Sequence, residues 1–159
     1  MANPNSIPSQ EVLHSLFEYK DGNLIRKKTN SIAGSIDADG YLITSVLGKR
    51  QKNHRIIFFM HHGYLPKIID HIDRNPANNK IENLRDASRS LNCLNSKISK
   101  KNKSGAKNVD FLKSKKRWRV LMQIQKKSYF FGYFKDLELA ELVAIEAKDK
   151  YMRMHFGCL

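Results

Sequence analysis

A polar, basic stretch, Ser99-Lys100-Lys101-Asn102-Lys103-Ser104-Gly105, interrupts the chain and divides what can fold on either side of it. A length of 159 residues leaves room for one ordinary domain or two very small ones. The stretch therefore sets an expected layout: a first module over 1–96, a basic linker over 97–105 and a second module over 106–159. With 41% hydrophobic and 28% charged residues, both modules are expected to be globular. The charge is uneven. Residues 97–127 hold twelve Lys/Arg against one acid, Asp110, whereas residues 128–159 hold four basic and five acidic residues. A basic block inside a chain of net charge +14 implies a polyanionic partner, the other reading being a solvated linker kept soluble by lysines.

Several classes are excluded at this level. The longest apolar runs, such as Ile56-Ile57-Phe58-Phe59-Met60, are too short to span a bilayer. Met1 to Gln10 has neither a charged n-region nor an apolar h-region, so no signal peptide is expected. Two cysteines, Cys93 and Cys158, cannot build a four-cysteine zinc site and are expected to be reduced thiols in a cytoplasmic protein.

The first module reads as short, strongly punctuated elements. Asp21-Gly22 is a hairpin turn between two apolar runs, and Asp39-Gly40 precedes a strand over 41–47 that turns at Gly48-Lys49. His54 to His62 predicts a helix stopped by Gly63 and Pro66. A short strand over 67–73, an Asn-rich turn with Pro76, a return strand over 81–84 and a helix over 89–98 capped by Asp86 or Ser88 follow.

The segment from Ile69 to Asn92 carries the chemistry. Asp70 and His71 are adjacent at a strand end, where a bend lets both reach one site. The strand, loop, strand, helix order can then bring Asn83 and Asn92 to them. Asp70 and Asn92 supply oxygen ligands for a hard divalent ion, which offsets charge developing on a phosphate. A neutral histidine, His71, can take a proton from water near pH 7, and Asn83 can hold it through its side-chain amide or backbone carbonyl. Taken singly, Asp-His is also a turn feature, and Asn83 and Asn92 are also cap or surface residues. Asn78 and Asn79 read as turn residues, and His14, His61, His62 and His155 lack partners at metal-ligand spacing.

Asp70-His71-Ile72-Asp73, Asn78-Asn79, Glu82-Asn83-Leu84-Arg85 and Asn92 resemble the HNH endonucleases, in particular the branch found among phage and intron-encoded homing enzymes. His54-Arg55, the apolar helix after it and Pro66 are similar to the segment that precedes the site in that branch. The resemblance covers roughly residues 10 to 96. It implies an α+β fold with an N-terminal ββα-metal nuclease domain. It also implies Asp70 and Asn92 as metal ligands, His71 as general base and Asn83 as the residue orienting it. Mg2+, with Mn2+ as a substitute, is the implied cofactor, and no structural zinc is implied.

The second module shows three strand-like runs, 108–112, 117–125 and 128–134, then a helix capped by Asp136. The helix carries a small-residue stripe of Ala140, Val143, Ala144, Ala147, Tyr151 and Met154. Alternation in the middle strand puts Trp118, Val120 and Met122 inward, leaving Arg117, Arg119, Leu121, Gln123 and Gln125 on an open face. Ser104-Gly105, Val109, Arg117-Trp118-Arg119-Val120, Gly132-Tyr133-Phe134 and the alanine-rich helix resemble the APETALA2 DNA-binding domain. This implies a three-stranded antiparallel sheet on one helix. Arg117, Arg119, Gln123 and Gln125 would read bases, and Lys107, Lys113, Lys115 and Lys116 would meet phosphates. Linker residues Lys100, Lys101 and Lys103 would track the DNA backbone.

The expected function is a metal-dependent endonuclease on double-stranded DNA. It would nick one strand per site as a monomer, with a dimer able to cut both, in the cytoplasm of a bacterial host if phage-encoded. A non-catalytic DNA-binding protein of the same fold and an RNA-binding protein are the alternatives.

Overall fold

The computed structural model of the chain describes residues 7–99 and 101–156, with side chains described as far as Met154. Lys100 and Cys158 lie outside the described residues. So does most of the segment judged for a leader. The chain divides into two compact units, Met1–Asn95 and Ser96–Leu159.

In the first unit, helix α1 (Gln10–Leu16) leads into a hairpin of β1 (Phe17–Lys20) and β2 (Asn23–Arg26). Asp21 and Gly22 both take positive φ at its turn, as a tight two-residue hairpin requires. β3 (Ser31–Ile32) completes that sheet. A second sheet holds β4 (Ser35–Ile36), β5 (Leu42–Val46) and β6 (Lys49–Lys52), in that order. Helix α2 (Asn53–His62) follows directly and ends on Gly63, whose left-handed backbone lets its N–H bond the Phe59 carbonyl. Strand β7 (Ile69–His71) pairs antiparallel with β8 (Leu84–Asp86), and helix α3 (Arg89–Asn95) closes a ββα unit. Ser88 caps α3, its hydroxyl accepting the Leu91 N–H at 3.1 Å.

The expected return strand over 81–84 lies further along the chain. Residues Ile81–Asn83 form a 3-10 turn and pairing begins at Leu84. The turn lets Ile72 N–H reach the Asn83 carbonyl at 2.9 Å, closing the loop between the strands.

Leu13, Phe17, Leu24, Ile56, Ile57 and Leu84 form the core. Each fully buried Leu or Ile contributes about 1.5–3 kcal/mol. α2 supplies Ile56, Ile57, Phe58 and Met60 to this core and is the element on which the site rests. Its first residue, buried Asn53, accepts from Thr44 Oγ1 at 2.7 Å and donates to the Ala33 carbonyl at 2.9 Å. A Cβ at Gly34, whose φ is +118°, would stand 2.9 Å from Asn53 Nδ2, so glycine permits this close approach.

In the second unit, β9 (Val109–Leu112), β10 (Arg117–Ile124) and β11 (Lys127–Phe134) form an antiparallel sheet with β10 central. Helix α4 (Leu137–Phe156) packs on it, capped by Asp136, which accepts from the Glu138 N–H at 2.7 Å. Ala106, Val109, Val120, Ala140 and Ala144 make the core. The helix stripe ends differently from expectation. The buried row advances by fours, through Ala140 and Ala144 to Met152, so Met154 faces solvent. Residues 102–106 are also more than a connector. Ser104 Oγ donates to the Val109 carbonyl at 2.7 Å and Asn102 Nδ2 to the Ala106 carbonyl at 2.9 Å, folding this stretch into the unit.

Candidate active site

β7 and β8 bring Asp70 and Arg85 directly opposite each other. Cross-strand partners share a face. The Arg85 guanidinium donates to Asp70 Oδ2 from Nε at 2.9 Å and from Nη2 at 2.7 Å. Asp70 is only 6% exposed, so this forked pair compensates a charge that burial would otherwise penalise heavily.

The third member of the cluster is not the residue expected. Leu91, Leu94 and Asn95 form the buried face of α3, and Asn92 falls on its exposed flank. Asn95 Nδ2 lies 3.1 and 3.0 Å from the two Asp70 oxygens, 2.8 Å from the His71 carbonyl and 3.3 Å from that of Ile72. The place beside Asp70 that was expected of Asn92 is thus taken by Asn95, three residues later. The reason is helical phase: the leucines on either side fix which turn faces β7.

His71 ends β7 and is buried at 6% exposure. Its Nε2 meets Asn79 Oδ1 at 3.1 Å. A carboxamide oxygen can only accept, so Nε2 carries the proton and the Nδ1 lone pair is the basic one. Asn83, expected to hold the ring itself, works one step removed. Its Oδ1 accepts the Asp73 N–H at 3.0 Å, and its Nδ2 donates to Asp73 Oδ1 at 2.9 Å and the Asn78 carbonyl at 2.8 Å. Asn83 therefore fixes the loop that delivers Asn79. Burial works against the charged form of Asp73, but hydrogen bonds from Asn78, the Asn75 N–H and Asn83 outweigh it and lower its pKa. Asn79 itself is 1% exposed and was legible only as a turn residue. The loop docks on the β1–β2 turn, where a Cβ at Gly22 would stand 3.0 Å from the Lys80 nitrogen. Tyr19 adds an anchor, its hydroxyl accepting the Ile81 N–H at 3.0 Å.

The start of α2 contributes a residue that sequence reasoning placed only before the site. The His54 ring meets that of His71 edge-on, with centroids 5.0 Å apart. Burial, then the neighbouring His71, Lys52 and Arg55, lowers the His54 pKa to about 3, so the ring is neutral. Tyr41 lies 5.3 Å from His54 and 6.0 Å from His71. Its hydroxyl pKa is raised by burial and by Asp39, Asp37 and Asp70, which ties both halves of the site to one locality.

The donor set fits a hard divalent ion. Among the described residues, no group of three or more His, Cys, Asp or Glu side chains could hold a metal. One buried carboxylate, Asp70, stands beside one amide, Asn95, whose oxygen and nitrogen exchange places by a half-turn about the last torsion. Such a set leaves the other positions to water and phosphate oxygens, the habit of Mg2+.

In the second unit, the register puts Arg117, Arg119, Leu121 and Gln123 on one face of β10, with Tyr133 opposite Arg119 and Phe130 opposite Leu121. Arg119 is paired with Asp110, from Nε at 3.1 Å and Nη2 at 2.9 Å. Gln125 lies off this face, in the β10–β11 turn, where it and Lys126 take positive φ. Lys107 Nζ is held by the Ser96 carbonyl at 2.7 Å. Lys101, Lys103, Lys113, Lys115 and Lys116 are exposed, with Lys115 Nζ 4.0 Å above the Tyr133 ring.

The HNH endonuclease family model matches residues 51–93, which run from β6 through α2, β7 and β8 into α3. The nuclease domain was expected at the N-terminus, but the match begins at residue 51, after α1 and most of two small sheets. The chain is also similar to Protein 3.8 of Escherichia phage T7, at 35% identity over 98 residues, 60% of this chain and 78% of the phage protein. It belongs to the same family as that phage protein and carries an HNH endonuclease domain. No solved structure matches it. Among the described residues, no helix is long and apolar enough to cross a membrane.

Proposed function

We propose that the chain is a divalent-metal-dependent endonuclease that nicks double-stranded DNA. The observation that carries this reading is His71, buried beside Asp70 and fixed in one tautomer by Asn79, inside the domain matched by the HNH family. His71 takes the proton of the attacking water at Nδ1, and Asn79 holds the ring while it does so. His54 packs on the ring without adding a charge. Asp70, with Asn95, would hold Mg2+ or Mn2+, which would supply charge stabilisation at the phosphate and at the leaving oxygen. Arg85, donating to Asp70 Oδ2, holds the Asp70 carboxylate aimed.

The outward face of β10, with Arg117, Arg119 and Gln123, together with the exposed lysines, would place the duplex in an APETALA2-like manner. One site in a monomer acts on one strand, so a double-strand break would need a dimer or a second encounter. The phage relative supports action inside a bacterial host cell. One observation favours a non-catalytic DNA-binding protein instead, namely that Arg85 already neutralises Asp70. Incubation with supercoiled plasmid separates the two. Open circles formed with Mg2+ and lost with chelator support the nuclease. A retained duplex shift with no open or linear product at any Mg2+ concentration supports the binder.

A further inference from the structure

On the second unit, a cleft of 560 Å³ opens between the 101–104 turn and β9. That volume lies within the range of about 300–1,000 Å³ typical of small-ligand pockets. Its wall is aromatic. Phe111 is 48% exposed and meets Trp118 edge-on at 4.9 Å, while Trp118 packs against the core beneath. Its rim is cationic, with Lys101, Lys103 and Lys113 all exposed. The acid that lines it, Asp110, is already paired with Arg119.

We infer that this cleft binds one unpaired nucleotide of a DNA strand, its base stacked on Phe111 and its flanking phosphates met by the three lysines. The inference rests on DNA as the partner but not on the nuclease site. Base pairs in a duplex cover one another's faces, so only an unpaired base can offer its π-surface to Phe111. The polar groups of the cleft are spent internally. Asn102 Oδ1 accepts the Gly105 N–H, its Nδ2 donates to the Ala106 carbonyl, and Ser104 Oγ donates to the Val109 carbonyl. Little remains to read a base edge, so binding is sequence-tolerant and driven by stacking and phosphate contacts.

The test uses the full chain without metal. Trp118 is the single tryptophan and reports directly from the cleft wall. Titration with a ten-nucleotide oligo-dT should change its emission saturably. Phe111→Ala should weaken oligo-dT binding about tenfold or more, Phe111→Tyr should restore it, and neither should alter duplex binding. Replacing Lys101, Lys103 and Lys113 with Ala should flatten the log–log salt dependence of oligo-dT binding by about 2. The inference is overturned if Phe111→Ala leaves oligo-dT affinity unchanged, if the salt slope does not move, or if tripolyphosphate produces the same emission change and competes equally. Plasmid nicking is read in parallel. Its failure with oligo-dT binding intact counts against the nuclease reading alone, and the converse result counts against the cleft alone.

Discussion

Asn95→Ala and Asn92→Ala separate the arrangement of α3 in the structure, with Asn95 beside Asp70, from the one expected of the sequence, with Asn92 there. Asn95 has two amide protons and reaches both Asp70 oxygens and the His71 carbonyl within 3.1 Å. Removing it deletes a hydrogen bond to a buried carboxylate, about 1.5–3 kcal/mol, and one to a carbonyl, about 1 kcal/mol. The His71 carbonyl keeps the Arg74 N–H at 2.9 Å, so it is not orphaned, and the expected loss is about 2–4 kcal/mol. For a unit of this size that lowers the melting temperature by roughly 10–25 °C. Asn92 is exposed, and its replacement should cost less than about 0.5 kcal/mol. Far-UV circular dichroism is the assay, because Trp118 fluorescence reports on the second unit. The Mg2+ concentration for half-maximal nicking should rise in the Asn95 variant and stay unchanged in the Asn92 variant. The reverse order of effects, or equal effects, would refute the argument from helical phase.

Asn79→Ala should lower the nicking rate by at least tenfold while leaving duplex affinity unchanged, since it frees His71 Nε2 without touching a basic residue; gel assays of both quantities check this. His54 gives the first unit an acid-sensitive stability. Its folded pKa of about 3 lies below the ordinary value of 6.5, so the unfolded chain takes up the proton first as pH falls. Stability from this residue is complete above pH 6.5 and falls by about 1.4 kcal/mol per pH unit below it, until the folded pKa is reached. His54→Phe keeps the packing and should reduce the loss in melting temperature between pH 7 and pH 5, measured against the unaltered protein. Duplex affinity should fall steeply with salt, and Lys115→Ala with Lys116→Ala should flatten the log–log slope by about 2.

Much of the layout was legible because local chemistry settled it. Asp21-Gly22 and Gly63 ended their elements where turn and C-cap geometry demanded. Arg117 to Gln123 alternated as a half-buried strand must. Type and spacing drew attention to Asp70, His71 and Asn83, which lie in one ββα unit, but not to the contact that Asn83 makes with Asp73 rather than with the His71 ring. Other features depended on phase or on distant contacts. Whether Asn92 or Asn95 meets Asp70 is set by which leucines of α3 pack inward. The role of Asn79 appears only once the loop docks on Gly22 and Tyr19, which precede it by more than fifty residues. His54 reaches His71 because the Asn53–Thr44–Ala33 bonds fix the start of α2, and no local pattern encodes that. Gln125 left the outward face of β10, where it was expected, because a two-residue turn claimed it.

The most direct test of the nuclease assignment compares the protein with His71→Ala on supercoiled plasmid in Mg2+, with duplex binding measured on the same preparations. The account predicts open circles with the unaltered protein, none with the variant, and equal duplex binding by both. Mg2+-dependent nicking that persists in a clean preparation of His71→Ala would contradict it.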